Sequence, residues 1–244
     1  MKYIYVIFAL LITGTSFSQI KTSNLTPPKK KVVDSIKYDS LENFIGDKVS
    51  RYVGQEFYAI GCPIENRNRH FKGFSWNNPK DRFQKEYYYP SLLYPYSTYD
   101  SLVGKYFKVL SVVKKEDLDD DSELIKSLNT NFYIQLANKS GTDTLYYEYD
   151  AKGNEHGSNF PFIVVGYFEK TRKSVIGKTY IYHNEVFDRH YKDLNNGEDV
   201  NPINLTKWKC IDYTIDEKTF KETLVIKNEK GNVIAITEWE YILR

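Results

Sequence analysis

The chain is poor in residues that announce chemistry by themselves. Among its 244 residues are two Cys, one Met and four His, and seven of the 34 basic residues are Arg. So few Arg argue against planar, bidentate recognition of phosphate. The formal charge of +2 falls close to zero once Lys2 is removed with the leader described below, which leaves no electrostatic case for nucleic acid. There is no Gly-x-Ser-x-Gly elbow, no His-Glu-x-x-His and no phosphate-cradling glycine loop, and no motif implies a cofactor. Beyond residue 20 no apolar run approaches the roughly 18 residues that cross a bilayer as a helix.

What is present begins at the N-terminus. Lys2, the apolar stretch Tyr3 to Ile12, and small residues at Ser16 and Ser18 have the three-part form of a secretory leader, with Gln19 as the expected first mature residue. Residues 1–18 are therefore expected to be removed, and the rest exported to the periplasm or beyond with no transmembrane segment. Residues 19–35 carry Pro27-Pro28 followed by three Lys and read as an extended tether. The full sequence is 41% hydrophobic and 16% aromatic, which is enough to build a core rather than a disordered tail.

The pattern predicts a mainly β fold. A short helix is expected over 40–52, where Leu41, Phe44, Ile45, Val49 and Tyr52 fall at helical spacing behind Ser40. A second is expected over 122–128. Residues 132–137 and 142–149 flank a Gly-bearing turn and predict a hairpin; 162–165 and 179–182 are strand-like; 209–215, 222–226 and 233–236 predict a three-stranded meander. A short pattern recurs at Val53-Gly54-Gln55-Glu56-Phe57, Val103-Gly104-Lys105-Tyr106-Phe107 and Ile176-Gly177-Lys178-Thr179-Tyr180. It reads as a glycine turn that launches a strand with an aromatic first inward residue. Two or three antiparallel meander modules of small-barrel or sandwich type follow, divided as an N-terminal module over 36–98 and a C-terminal β region over 99–244. An outer-membrane barrel fits poorly, because the strands are short and charged.

Four clusters are candidates for chemistry or binding. Tyr87, Tyr88, Tyr89, Tyr94, Tyr96 and Tyr99 form a candidate platform for a protein or polysaccharide ligand; with 22 Tyr in the chain, packing at the margins of a β core competes strongly with that reading. Cys62 and Cys210 are the candidate disulfide of an exported protein, with two buried thiols as the alternative. His183, Glu185, Asp188 and His190 are suitable ligand types, but their spacing matches no zinc pattern and an extended backbone would point the pairs apart, so no metal is assigned. The acidic run Glu116–Glu123 fails the calcium-loop pattern at Ser122 and Leu128. The function expected is a non-catalytic binding or structural module of the cell envelope, with a hydrolase acting on envelope or external polymers as the alternative.

Overall fold

The computed structural model describes residues 36–71, 73–75, 99–114, 117, 132–152, 160–183 and 190–243. The leader, the tether, Tyr87 to Tyr96 and the helix expected over 122–128 lie outside the described residues. Within them the chain is mainly β, in three antiparallel sheets.

The first sheet has the order β2-β5-β4-β3-β1-β6, from β1 (Glu56–Ala59), β2 (Phe74–Ser75), β3 (Tyr106–Lys114), β4 (Phe132–Asn138), β5 (Thr144–Tyr149) and β6 (Phe162–Val164). The second has the order β12-β11-β10-β7, from β7 (Thr179–Ile181), β10 (Lys207–Ile215), β11 (Glu222–Asn228) and β12 (Val233–Thr237); β8 (Tyr191–Lys192) and β9 (Asp199–Val200) pair separately. The expected hairpin and C-terminal meander are both formed. Neither large sheet closes into a barrel among the described residues. The C-terminal segment does return from β12 to the far edge of the second sheet, where Leu243 bridges Tyr182.

Alternation places aromatic rings on one face of the first sheet. Phe57, Phe74, Phe107, Tyr149 and Phe162 are almost wholly buried there, and Tyr52, from the coil before β1, is buried against them. Tyr52 meets Phe57 edge-on at 4.9 Å and Phe57 meets Phe162 at 5.0 Å, separations at which ring quadrupoles attract. The second core gathers Trp208, Cys210, Tyr213, Leu224, Ile226, Ile234 and Ile236. Between the sheets runs α3 (Val165–Val175), which no sequence pattern announces. It contains a Gly, two β-branched Val and a Thr, all modest helix formers. Its apolar side chains also serve two cores, Tyr167 the first and Phe168 and Val175 the second, so no single stripe develops. Gly166 is required at its start, because a Cβ there would lie 2.8 Å from Cβ of Tyr38 and 3.1 Å from Oε1 of Gln55.

Two expectations need correction. The segment 40–52 is not a continuous amphipathic helix: only Gly46–Tyr52 coils, as a 3-10 helix, with Lys48 off helical geometry. The cause is local. Gly46 has φ +54°, and Asn43 is held out to hydrogen-bond the edge of β6, with Nδ2 donating to Phe162 O at 2.8 Å and Oδ1 accepting from Val164 N at 2.8 Å. The boundary at 98/99 does not separate two sheets either, because β1 and β2 pair with β3, β5 and β6 from beyond it. Non-local pairing of this kind leaves no mark on composition, and the cores divide instead at α3.

In each large sheet a coil or helix leads through a type II turn into a short strand, which pairs with a nine-residue strand, which pairs with two more in meander. Val53 (φ −56°, ψ 128°) precedes Gly54 (φ +82°), and Ile176 (φ −60°, ψ 131°) precedes Gly177 (φ +86°). Only a residue without Cβ takes the third place of such a turn freely. Gly54 N donates to Val109 O and Gly177 N to Cys210 O, both at 2.9 Å. Phe57 faces Phe107 as Tyr180 faces Trp208, and the register slips after Val109 just as it does after Cys210. The third glycine of the recurring pattern, Gly104, has φ +76° and stands third in a four-residue turn closed by Lys105 N donating to Leu102 O; it lies at the opposite end of the β1–β3 ladder and donates to Ala59 O at 2.9 Å. Its counterpart in the second sheet is Leu205, which has φ +64° and donates to Tyr182 O at 2.8 Å.

Candidate functional site

The inward residues of β10 are Trp208, Cys210 and Tyr213, so its outward residues are Lys207, Lys209 and, at the bulge, Ile211. Register sets Ile181 beside Lys207, and Thr179 and Lys227 on either side of Lys209. These six residues are exposed and, together with Asn228 and Glu229, line a shallow concavity of about 670 Å³ on the open face of the sheet. Lys209 and Lys227 stand directly opposite one another, an arrangement that costs stability. No carboxylate among the described residues forms an ion pair with any of the three Lys. The rings of Tyr180, Trp208 and Tyr213 belong to the core side, so the exposed floor is aliphatic.

The first sheet provides an internal comparison. The place of Lys209 is taken there by Lys108, opposite Glu56, and the place of Ile181 and Lys207 by Tyr58 and Tyr106, whose rings lie 5.0 Å apart. That face is balanced in charge and covered by rings. No family model, no curated protein and no solved structure matches this chain.

The other candidates are engaged in holding the structure. Tyr99, the described member of the tyrosine cluster, opens α2 (Tyr99–Leu102) and turns inward: its hydroxyl accepts from Cys62 N at 3.0 Å, its ring packs on Phe71, and the Arg67 guanidinium lies 4.7 Å above it. Phe220, from the tip of the β10–β11 hairpin, closes over the same spot. A Cβ on Gly61 would meet its ring and the Tyr99 hydroxyl, so Gly61 is required for that approach.

Cys62 and Cys210 are both buried free thiols, so the candidate disulfide is not formed. One follows β1 at the edge of the first core and the other sits inside the second. Burial raises the Cys62 thiol, and burial pushes Cys210 up to about 11, so neither is primed as a nucleophile. His70, which ends α1 (Arg67–His70), bonds through Nε2 to Ile60 O at 2.8 Å, and burial lowers its proton affinity. His183 donates its main-chain N–H to Ile242 O, while His190 is exposed; Glu185 and Asp188 lie outside the described residues. Among the described residues no three His, Cys, Asp or Glu side chains gather as a metal would require.

Sequence reasoning missed two polar centres. Glu222 Oε2 accepts from Tyr213 Oη at 2.5 Å and from Tyr167 Oη at 3.0 Å, joining β10, β11 and α3. Burial raises its carboxyl above the ordinary value, partly opposed by the two phenols. Asp193 accepts from Asn195 N, Asn232 Nδ2 and Val233 N, and these donors hold it below the ordinary range while they fasten the β8–β9 hairpin to the start of β12. Nothing in the sequence separates these two acids from the other thirty, because their partners are brought in by the fold.

Proposed function

We propose that the chain is exported with loss of residues 1–18 and acts as a non-catalytic binding module of the cell envelope, periplasmic or extracellular, built from two copies of one β unit. In this reading the open face of the second sheet is the ligand surface. One observation carries it: Lys209 and Lys227 are held side by side on an exposed face, a destabilising pair that the corresponding face of the first sheet avoids, where Lys108 has Ala137 in the place of Lys227 and Glu56 on its other side. A feature that costs stability and forms no ion pair among the described residues is what a binding surface retains. The shifted acids and imidazole, by contrast, are taken up in structural hydrogen bonds. Glu222, Asp193 and His70 each serve a named partner on another element.

The test is made in cells. A photo-crosslinking amino acid placed at Ile211, which is 42% exposed, is expected to capture a partner in the exported fraction, while the same probe at Leu41, 79% exposed on the first unit, is not. Intact mass of the isolated chain is expected to begin at Gln19. A species retaining Met1 to Ser18 refutes export by cleavage, and equal capture from both probe positions, or none from either, refutes the assignment of the face.

A further inference from the structure

Resting on that reading, we infer that the partner presents an extended acidic peptide to the face, with two carboxylates and an aliphatic residue at alternate positions. The outward residues of β10 run Lys207, Lys209, Ile211. Neighbouring outward side chains on a strand are about 6.8 Å apart, twice the rise per residue. A second extended chain laid along β10 repeats at the same distance, so its residues i, i+2 and i+4 meet these three positions in turn. The chemistry that fits is acid, acid, aliphatic, with the intervening residues facing solvent and free to vary. Lys227 beside Lys209 doubles the positive charge at the middle position, and Ile181 beside Lys207 widens the apolar floor.

The composition of the face favours a peptide over other polyanions. Sugar rings are held by stacking on aromatic side chains, and Thr179, Ile181 and Ile211 offer none. Nucleic acid draws on Arg forks and on aromatic platforms, and this face has neither. Lys supplies point charges that accept a carboxylate from many directions. Each exposed pair is weak, and salt screens it. Affinity on this surface therefore depends on several pairs forming together and falls steeply with ionic strength.

The experiment uses the purified chain and a fluorescent peptide of about ten residues carrying two copies of the Glu-x-Glu-x-Val pattern, followed by anisotropy at low and at physiological salt. The peptide is expected to bind, to lose affinity on adding salt, and to lose about tenfold or more against the double variant Lys209→Thr/Lys227→Thr. A peptide with the same charge and no Val is expected to bind more weakly. The double variant should unfold at a higher temperature than the parent, because the like-charge pair is gone. Lys108→Thr, the matching change on the first sheet, should leave binding unaltered. Equal loss in Lys108→Thr shows bulk charge rather than this face and overturns the inference. So does tighter binding of polygalacturonate or of a single-stranded oligonucleotide than of the peptide. If Ile211 captures a partner in cells while the peptide fails, the binding module stands and the peptide chemistry falls.

Discussion

Leu205 occupies the place that Gly104 fills in the first sheet, and that equivalence makes an unusual demand on a substitution. Both residues stand third in a four-residue turn, Gly104 at φ +76° and Leu205 at φ +64°, and both donate their N–H to the neighbouring strand. At an ordinary exposed site, Ala is more stable than Gly by about 0.4–1 kcal/mol, because Gly has more freedom to lose on folding. A side chain in the left-handed region carries about 1–2 kcal/mol of strain that Gly escapes. Leu205→Ala and Leu205→Gly remove nearly the same side-chain surface from a residue that is 65% exposed, so their difference isolates the backbone. Subtracting the first effect from the second leaves Leu205→Gly the more stable of the two by about 0.5–1 kcal/mol, the reverse of the usual order. Gly104→Ala should cost a similar amount relative to the parent, since the nearest atom to its new Cβ, the Tyr58 hydroxyl, is 3.9 Å away and leaves the site uncrowded. Urea unfolding with unchanged slope measures all three. Leu205→Ala equal to or more stable than Leu205→Gly would refute the equivalence of the two turns.

Glu222 and Asn43 give two further tests. Burial raises the Glu222 carboxyl above its ordinary value of 4.5, so the folded state favours the protonated acid. Its contribution is full at low pH and is lost as pH rises from that ordinary value through the raised one. Glu222→Gln keeps an oxygen for Tyr213 and Tyr167 and removes the titration. The variant should equal or exceed the parent at pH 7 and show a flatter stability profile across that window in urea melts; a steeper profile would count against a carboxyl raised by burial. Asn43→Ala strips both partners from the edge of β6, leaving Phe162 O and Val164 N to find others, at a cost of about 2 kcal/mol. Hydrogen exchange should find the Val164 amide newly open in this variant, and continued protection there would mean that Asn43 does not hold the edge.

Local order in the chain was sufficient to read the mainly β class, the 132–149 hairpin, the C-terminal meander and the strand-launching glycines. Each of these rests on information within a few residues: alternation that decides which side of a strand is buried, and a turn geometry only Gly takes without strain. The sequence also sets the charge, since the Lys at 207, 209 and 227 are plain to see. Their meaning is not, because 209 and 227 become neighbours only when β10 and β11 pair across a slipped register. The same holds for Glu222, which draws its two phenols from α3 and β10, and for Asn43, whose partners on β6 are more than a hundred residues away. It holds too for Cys62 and Cys210, which counting pairs and folding separates. Periodicity reports which side of an element is apolar. Which element then covers that side, and which charges are brought face to face, is decided by long-range pairing, and in this protein the candidate site is made of such pairings.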